Sequence, residues 1–212
     1  MKSQVRGGTR WKRFAVVMVP SLAATAAVGI GLAQGALAAS FSVSGQSFKV
    51  SADKLVGYDF VQYGSYTEGY DLKGNKANHP VAVSGFKRAE ITNMCQSVVT
   101  PDVPFIGSVS LNLTAGTGDT PVKAKNLYLD VADLDADATF TNIDIGVATK
   151  DAKKGPGIQP GTEDRVNPFG FAQQAEEVLL TDVEQRAWAT TAGTFELSNL
   201  SLRLHKGVKE CY

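Results

Sequence analysis

The sequence predicts a mainly β protein: an antiparallel sandwich or a rolled, jelly-roll-like sheet, preceded by an N-terminal hydrophobic helix that is a signal or an anchor. Three observations carry this. Apolar and polar residues alternate through most of residues 122–147 and again at 200–205, and a period of two marks strands with one buried and one wet face. Helical periodicity is scarce after the leader; its best stretch, Phe171 to Leu180, suits a strand equally well. Faint internal echoes also recur, such as Val43-Ser44-Gly45 with Phe48-Lys49 against Val83-Ser84-Gly85 with Phe86-Lys87. Their spacing is too uneven for a solenoid, so they read as related β-modules within one domain.

Taken in order, the first element is the leader. Lys2, Arg6, Arg10, Lys12 and Arg13 form a cationic head with no acid, Phe14 to Ala33 is apolar or small, and Ala36-Leu37-Ala38 is a small-x-small site. That is the pattern of a bacterial export signal cleaved after Ala38 or Ala39. No Arg-Arg pair is present, which points to the general secretion route. The apolar run is close to the ~20 residues that span a bilayer, so an uncleaved anchor making membrane contact is the alternative. Pro20, Gly29 and Gly31 weaken a lone spanning helix. Residues 1–39 are thus the leader and 40–212 a single extracytoplasmic β domain, secreted or held in the cell envelope.

Within that domain, runs at Val122–Ala124, Leu127–Val131, Leu134–Phe140 and Ile143–Val147 read as strands. At the C-terminus Leu200, Leu202 and Leu204 are expected to face the core while Ser201, Arg203 and His205 face water. Two segments break the pattern, Gly64 to Pro80 and Lys150 to Pro168, and both are expected to be long loops, where binding surfaces form. Tyr58, Phe60, Tyr63, Tyr66 and Tyr70 fall within thirteen residues. Tyr58 and Phe60 are expected on one strand face, with Phe60 in the core and Tyr66 and Tyr70 at a rim.

Charge narrows the partners. The full chain has 21 basic and 21 acidic residues; without the five leader cations the domain is acidic. That disfavours nucleic acid and anionic lipid, both of which select a basic patch. Cys95 and Cys211 are the only cysteines, and two cysteines in an exported chain most simply form a disulfide.

Chemistry-bearing residues are sparse in the chain. His79 and His205 are the only histidines, and no metal or cofactor motif is present. Asp130, Asp133, Asp135 and Asp137 lack the glycine turn and terminal Glu of a calcium loop; Asp133, Asp135 and Asp137 fall on the wet face of an alternating strand and read as a solvated edge. A serine hydrolase needs a nucleophile, a histidine and an orienting acid. The G-x-S-x-G elbow is absent, and Ser65 is only a near imitation. By alternation His205 faces water, which leaves His79 as the candidate base, with its nucleophile unidentified.

Several blocks are similar to a streptomycete family of small exported proteins. They include Arg10-Trp11-Lys12-Arg13-Phe14, Gln34 to Phe41, Val81-Ala82-Val83-Ser84-Gly85-Phe86-Lys87, Cys95-Gln96-Ser97-Val98-Val99-Thr100-Pro101, Ala138 to Ile143 and Trp188 to Phe195. The resemblance covers essentially the whole chain. Members are often of unknown function and some are named cholesterol esterase. The resemblance therefore implies a hydrolase of sterol or lipid esters, whereas the residues favour a non-catalytic envelope protein that binds lipid or a partner.

Overall fold

The computed structural model describes residues 43–212; the expected leader, its cleavage site and the anchor alternative lie outside the described residues. Nine strands follow in order: β1 (Phe48–Tyr70), β2 (Lys76–Thr92), β3 (Met94–Val103), β4 (Gly107–Ala115), β5 (Val122–Thr141), β6 (Asp144–Ala148), β7 (Phe171–Thr191), β8 (Thr194–Glu196) and β9 (Ser201–Lys206). They form one antiparallel sheet in the order β6-β7-β5-β2-β1-β3-β4-β9, with β8 on β5 and a further β7–β1 ladder. That last ladder turns part of the path into a ring, β1 to β2 to β5 to β7 and back to β1. The sheet is one, and it rolls closed.

The register shows how steeply the ring is wound. Tyr63 pairs with Val83, Val83 with Asp130, and Asp130 with Ala189, yet Ala187 pairs with Phe48. A circuit leaving β1 at Tyr63 thus returns near its opposite end. Such a stagger requires strongly tilted strands, which is why β1, β5 and β7 reach 23, 20 and 21 residues where strands are commonly about 5–6.

Long strands must bend to close a small ring, and the sequence supplies the bends. Asp59, Asn126 and Asp182 lie inside β1, β5 and β7 at φ of 54°, 48° and 50°, a left-handed conformation that Asn and Asp tolerate better than other non-glycine residues. Asp59 and Asn126 stand opposite Lys87 of β2 from either side, by the pairs flanking them. The three form a corner row across the sheet. At each bend two successive residues turn outward before burial resumes: Lys125 and Asn126, or Lys87 and Arg88. Tyr58 and Phe60 are consequently not equivalent. Phe60 is 4% exposed in the core, whereas Tyr58 lies half-buried beneath the Arg88 guanidinium.

Two apolar layers result. Phe60, Phe86, Leu127, Leu129 and Val178 fill the ring, and Val61, Tyr63, Val83, Tyr128 and Val166 form a second cluster outside it. The latter is roofed by residues 149–170, a connection with 3-10 turns at Thr149–Asp151 and Glu163–Arg165. Gly155 lets this roof lie on the sheet, since a Cβ there would come within 2.4 Å of the Val61 side chain.

Several expectations need correcting. Gly64 to Pro80 is no long loop: β1 and β2 run through it as a paired ladder from Lys54–Thr92 to Tyr70–Lys76, closed by a turn in which the Asp71 carboxylate accepts hydrogen bonds from the backbone N–H groups of Lys73 and Asn75. Its Gly and Asn content serves a strand-and-turn unit. The alternating runs from 122 to 140 belong to a single bent strand, and Phe171 to Leu180 opens β7. Leu200, Leu202 and Leu204 are not core: they are 50%, 57% and 69% exposed. Alternation reports two unlike faces and does not say which is covered. Here the C-terminal tail lies on the polar face, where Ser97 and Ser110 accept hydrogen bonds from the backbone N–H groups of Cys211 and Lys209. His205, on that face, is half-buried. Cys95 and Cys211 form the disulfide, with Cα atoms 5.9 Å apart and 116 residues of separation.

Candidate functional site

The ring does not pack solid. A cavity of about 180 Å³ lies within it, walled by Leu55, Phe60, Phe86, Leu129, Val178 and Leu180. β2 and β5 part after the Ala82–Val131 pair. Beyond that fork Leu134, Ala136, Ala138 and Phe140 face the cavity from β5. Leu134 is 37% exposed, so this side reaches solvent. Asp133, Asp135 and Asp137, on the opposite face of the same strand, are exposed as expected.

Four polar side chains interrupt the apolar wall. Gln173 Nε2 donates to Gln62 Oε1 at 2.6 Å, and Gln62 Nε2 donates to Ser84 Oγ at 2.9 Å, a belt across β7, β1 and β2. Gln185 stands next to Leu134 on the β5–β7 ladder. It is 5% exposed and lines the cavity. Its amide carries both a donor and an acceptor. None of the four stood out in the sequence. Each occupies an inward position that alternation reserves for apolar residues, and the bends at Asp59 and Asp182 hide that parity.

A second polar group lies outside the ring under the roof. Tyr63 Oη accepts the Gln159 N–H at 2.8 Å and the Tyr128 hydroxyl donates to the Pro156 carbonyl at 3.3 Å. Burial pushes both phenols up, Tyr128 to about 12. Asp130 is 9% exposed; burial pushes its carboxyl up to about 6 against the opposing pull of the Thr67 hydroxyl and the Arg165 cation. Arg165 Nη2 donates to Glu68 Oε2 at 3.0 Å, and Arg165 Nε has no partner among the described residues.

His79 borders this group. Its strand position lies beyond the β2–β5 fork, opposite Thr67, and its ring stacks on Trp188 with centroids 3.5 Å apart. Trp188 falls where the β5–β7 register shifts, between the Asp130–Ala189 and Val131–Ala187 pairs. The stack thus plugs the fork from outside. His79 Nε2 is buried without a partner, and among the described residues no serine or carboxylate hydrogen-bonds its ring. The Ser65 hydroxyl donates instead to the Arg165 carbonyl at 3.2 Å. No group of three or more His, Cys, Asp or Glu among the described residues is arranged to hold a metal ion.

A model of a family of unknown function, DUF6230, matches residues 44–212. The chain belongs to that family. The match takes in every strand of the ring and the roof, so the fold described is that of a DUF6230 domain. No curated protein and no solved structure matches the chain. The DUF6230 domain therefore has to be read from its own geometry.

Proposed function

We propose that this DUF6230 protein is an extracytoplasmic lipid-binding protein that shelters part of an acyl chain inside its ring. The observation that carries this reading is the cavity: an apolar interior that reaches solvent, with the Gln185 amide among its lining groups. Apolar walls gain by removing hydrocarbon from water, about 25 cal/mol per Å² covered, and a single polar group at the lining fixes which end enters. A ligand carboxyl or hydroxyl would pair with the Gln185 amide, and the tail would lie against Phe60, Phe86 and Leu129. The disulfide is consistent with an oxidising compartment.

Size refines the ligand. The cavity is about 180 Å³, below the 300–1,000 Å³ usual for small-molecule pockets. A sterol ring system is too bulky for it, and a segment of one chain fits. Hydrolysis of sterol or lipid esters, which the family resemblance implied, would need a nucleophile beside His79, and His79 has Trp188 as its neighbour.

Displacement of a fluorescent fatty acid by unlabelled palmitate tests the proposal. Saturable binding that falls about ten-fold or more in Ala136→Phe, which fills the cavity from β5, is the expected result. Absence of binding, or binding indifferent to Ala136→Phe, would overturn it. Cholesteryl ester turnover that is lost in His79→Ala would restore the hydrolase reading.

A further inference from the structure

Beyond the ring, β3, β4 and β9 form an arm joined to β1 through three residue pairs, Lys49–Ser97 to Ser51–Cys95. Its polar face is covered by the C-terminal tail. Its other face is covered only in part: Leu113 packs against the ring's core and Val98 and Leu111 are half-buried, while Leu202 and Leu204 are exposed. The register places Val98, Leu111 and Leu204 in one row, Gln96, Leu113 and Leu202 in the next, and Thr100, Val109 and Lys206 in the row nearest the tip. The tip itself is Val103-Pro104-Phe105-Ile106, closed by a hydrogen bond from the Ile106 N–H to the Val103 carbonyl at 3.1 Å. Phe105 is fully exposed, Ile106 is 49% exposed and nearby Val208 is 67% exposed.

The tip residue is costly to the fold. Phe105 has φ 66° and follows Pro104, so it holds the third position of a turn with the type II pattern, where positive φ selects Gly or Asn. A bulky side chain in that region is strained. The strain is matched by no packing, since the ring is wholly in solvent. Backbone strain kept without an internal return points outward, to a function.

Charge identifies what the arm meets. Although the domain as a whole is acidic, Lys206 stands in the row nearest the tip and Lys209, whose N–H donates to Ser110 Oγ, follows in the tail at this end. Of the two acids close by in sequence, Glu210 is paired with Lys49 at 3.2 Å, leaving Asp102. An aromatic tip, a leucine face and a cationic rim are the complement of a bilayer with anionic headgroups, into which apolar side chains insert while lysines stay at the phosphates. We infer that the β3–β4–β9 arm docks on an anionic bilayer surface with Phe105 and Ile106 inserted. This revises the expectation drawn from net charge, which averages over a local basic rim. It stands whether or not the ring holds an acyl chain.

The test places tryptophan at the tip of the full-length chain, Phe105→Trp, and mixes it with vesicles of 7:3 phosphatidylcholine:phosphatidylglycerol brominated in the acyl chains. Because the parent chain already carries Trp11 and Trp188, the quenching specific to position 105 is the difference from the parent. This difference reports the tip even if other segments also reach the bilayer. Strong extra quenching is expected, falling roughly 10- to 100-fold in apparent affinity in Phe105→Trp carrying Leu202→Ser and Leu204→Ser, the range that removing large apolar contacts implies. Lys206→Glu with Lys209→Glu should weaken it about 10-fold or more and remove its salt dependence. Phe105→Asn keeps the turn and relieves its strain, so it should leave thermal stability equal or higher while abolishing the rise in vesicle affinity that Phe105 provides. No extra quenching at position 105, or quenching equal on pure phosphatidylcholine, would overturn the inference. A concentration-dependent dimer broken by Leu204→Ser, with no tip insertion, would assign the face to a second copy instead.

Discussion

Asp130 lies on the outer face of β5 with its carboxyl pushed up to about 6, chiefly by burial. In the unfolded chain an aspartate titrates near 4. Between those values the folded state holds more protons than the unfolded one, so stability falls as pH rises from about 4 to about 6 and levels off above. The two-unit separation corresponds to at most about 3 kcal/mol. Urea midpoints at pH 4.5 and 7.0 should therefore differ less in Asp130→Asn than in the parent; equal differences would show that the carboxyl is not held in this way. Positive φ gives a second residue-scale expectation. Asn126→Gly should be tolerated, whereas Asn126→Val, placing a β-branched residue at φ 48°, should cost about 1–3 kcal/mol by thermal or urea unfolding. Asn and Asp at the bends were legible as residues and illegible as bends: inside a strand they look like ordinary wet positions.

At the scale of elements, alternation located strands well and covered faces poorly. Val122 to Phe140 reads as several runs because the bend at Asn126 and the register shifts near Val131 break the period of two. Leu200, Leu202 and Leu204 read as core for the opposite reason: their period is perfect, and only the path of the C-terminal tail decides which face it hides. The disulfide was legible from count and compartment alone, and it fixes that path. Reduction should lower the unfolding midpoint, with about 4–5 kcal/mol as the upper figure for closing so long a loop. Double replacement Cys95→Ser and Cys211→Ser should reproduce the shift and make the protein insensitive to reductant. A midpoint unchanged by reduction would mean that the tail stays docked without its bond.

For the whole molecule, the candidate site was the least legible feature, because a cavity belongs to no single segment. Leu55, Ser84, Leu134 and Gln173 come from four strands and meet only once the ring has closed. Asp130 and His79, by contrast, were visible as chemistry-bearing residues, and folding places one under the roof and the other against Trp188. A cavity also predicts a change on filling: a ligand that binds the folded ring and not the unfolded chain raises the melting temperature with concentration. Palmitate should do so for the parent and not for Ala136→Phe; no shift for either would argue against the ring as the ligand's place.

The β7–β1 ladder has a consequence for how the chain folds. β1 and β2 are neighbours in sequence and can pair as soon as both are free to fold. The other edge of β1 waits for β7, whose partner for Phe48 is Ala187. Until then a long strand edge stands open on an apolar half-ring, the state most prone to pair with another chain. So many distant pairings also make closure slow. Until β7 docks, the folding chain is therefore one strand short of safety. Truncation before Phe171 should yield aggregates, and β7 supplied later as a separate segment should rescue solubility only if it arrives before they form.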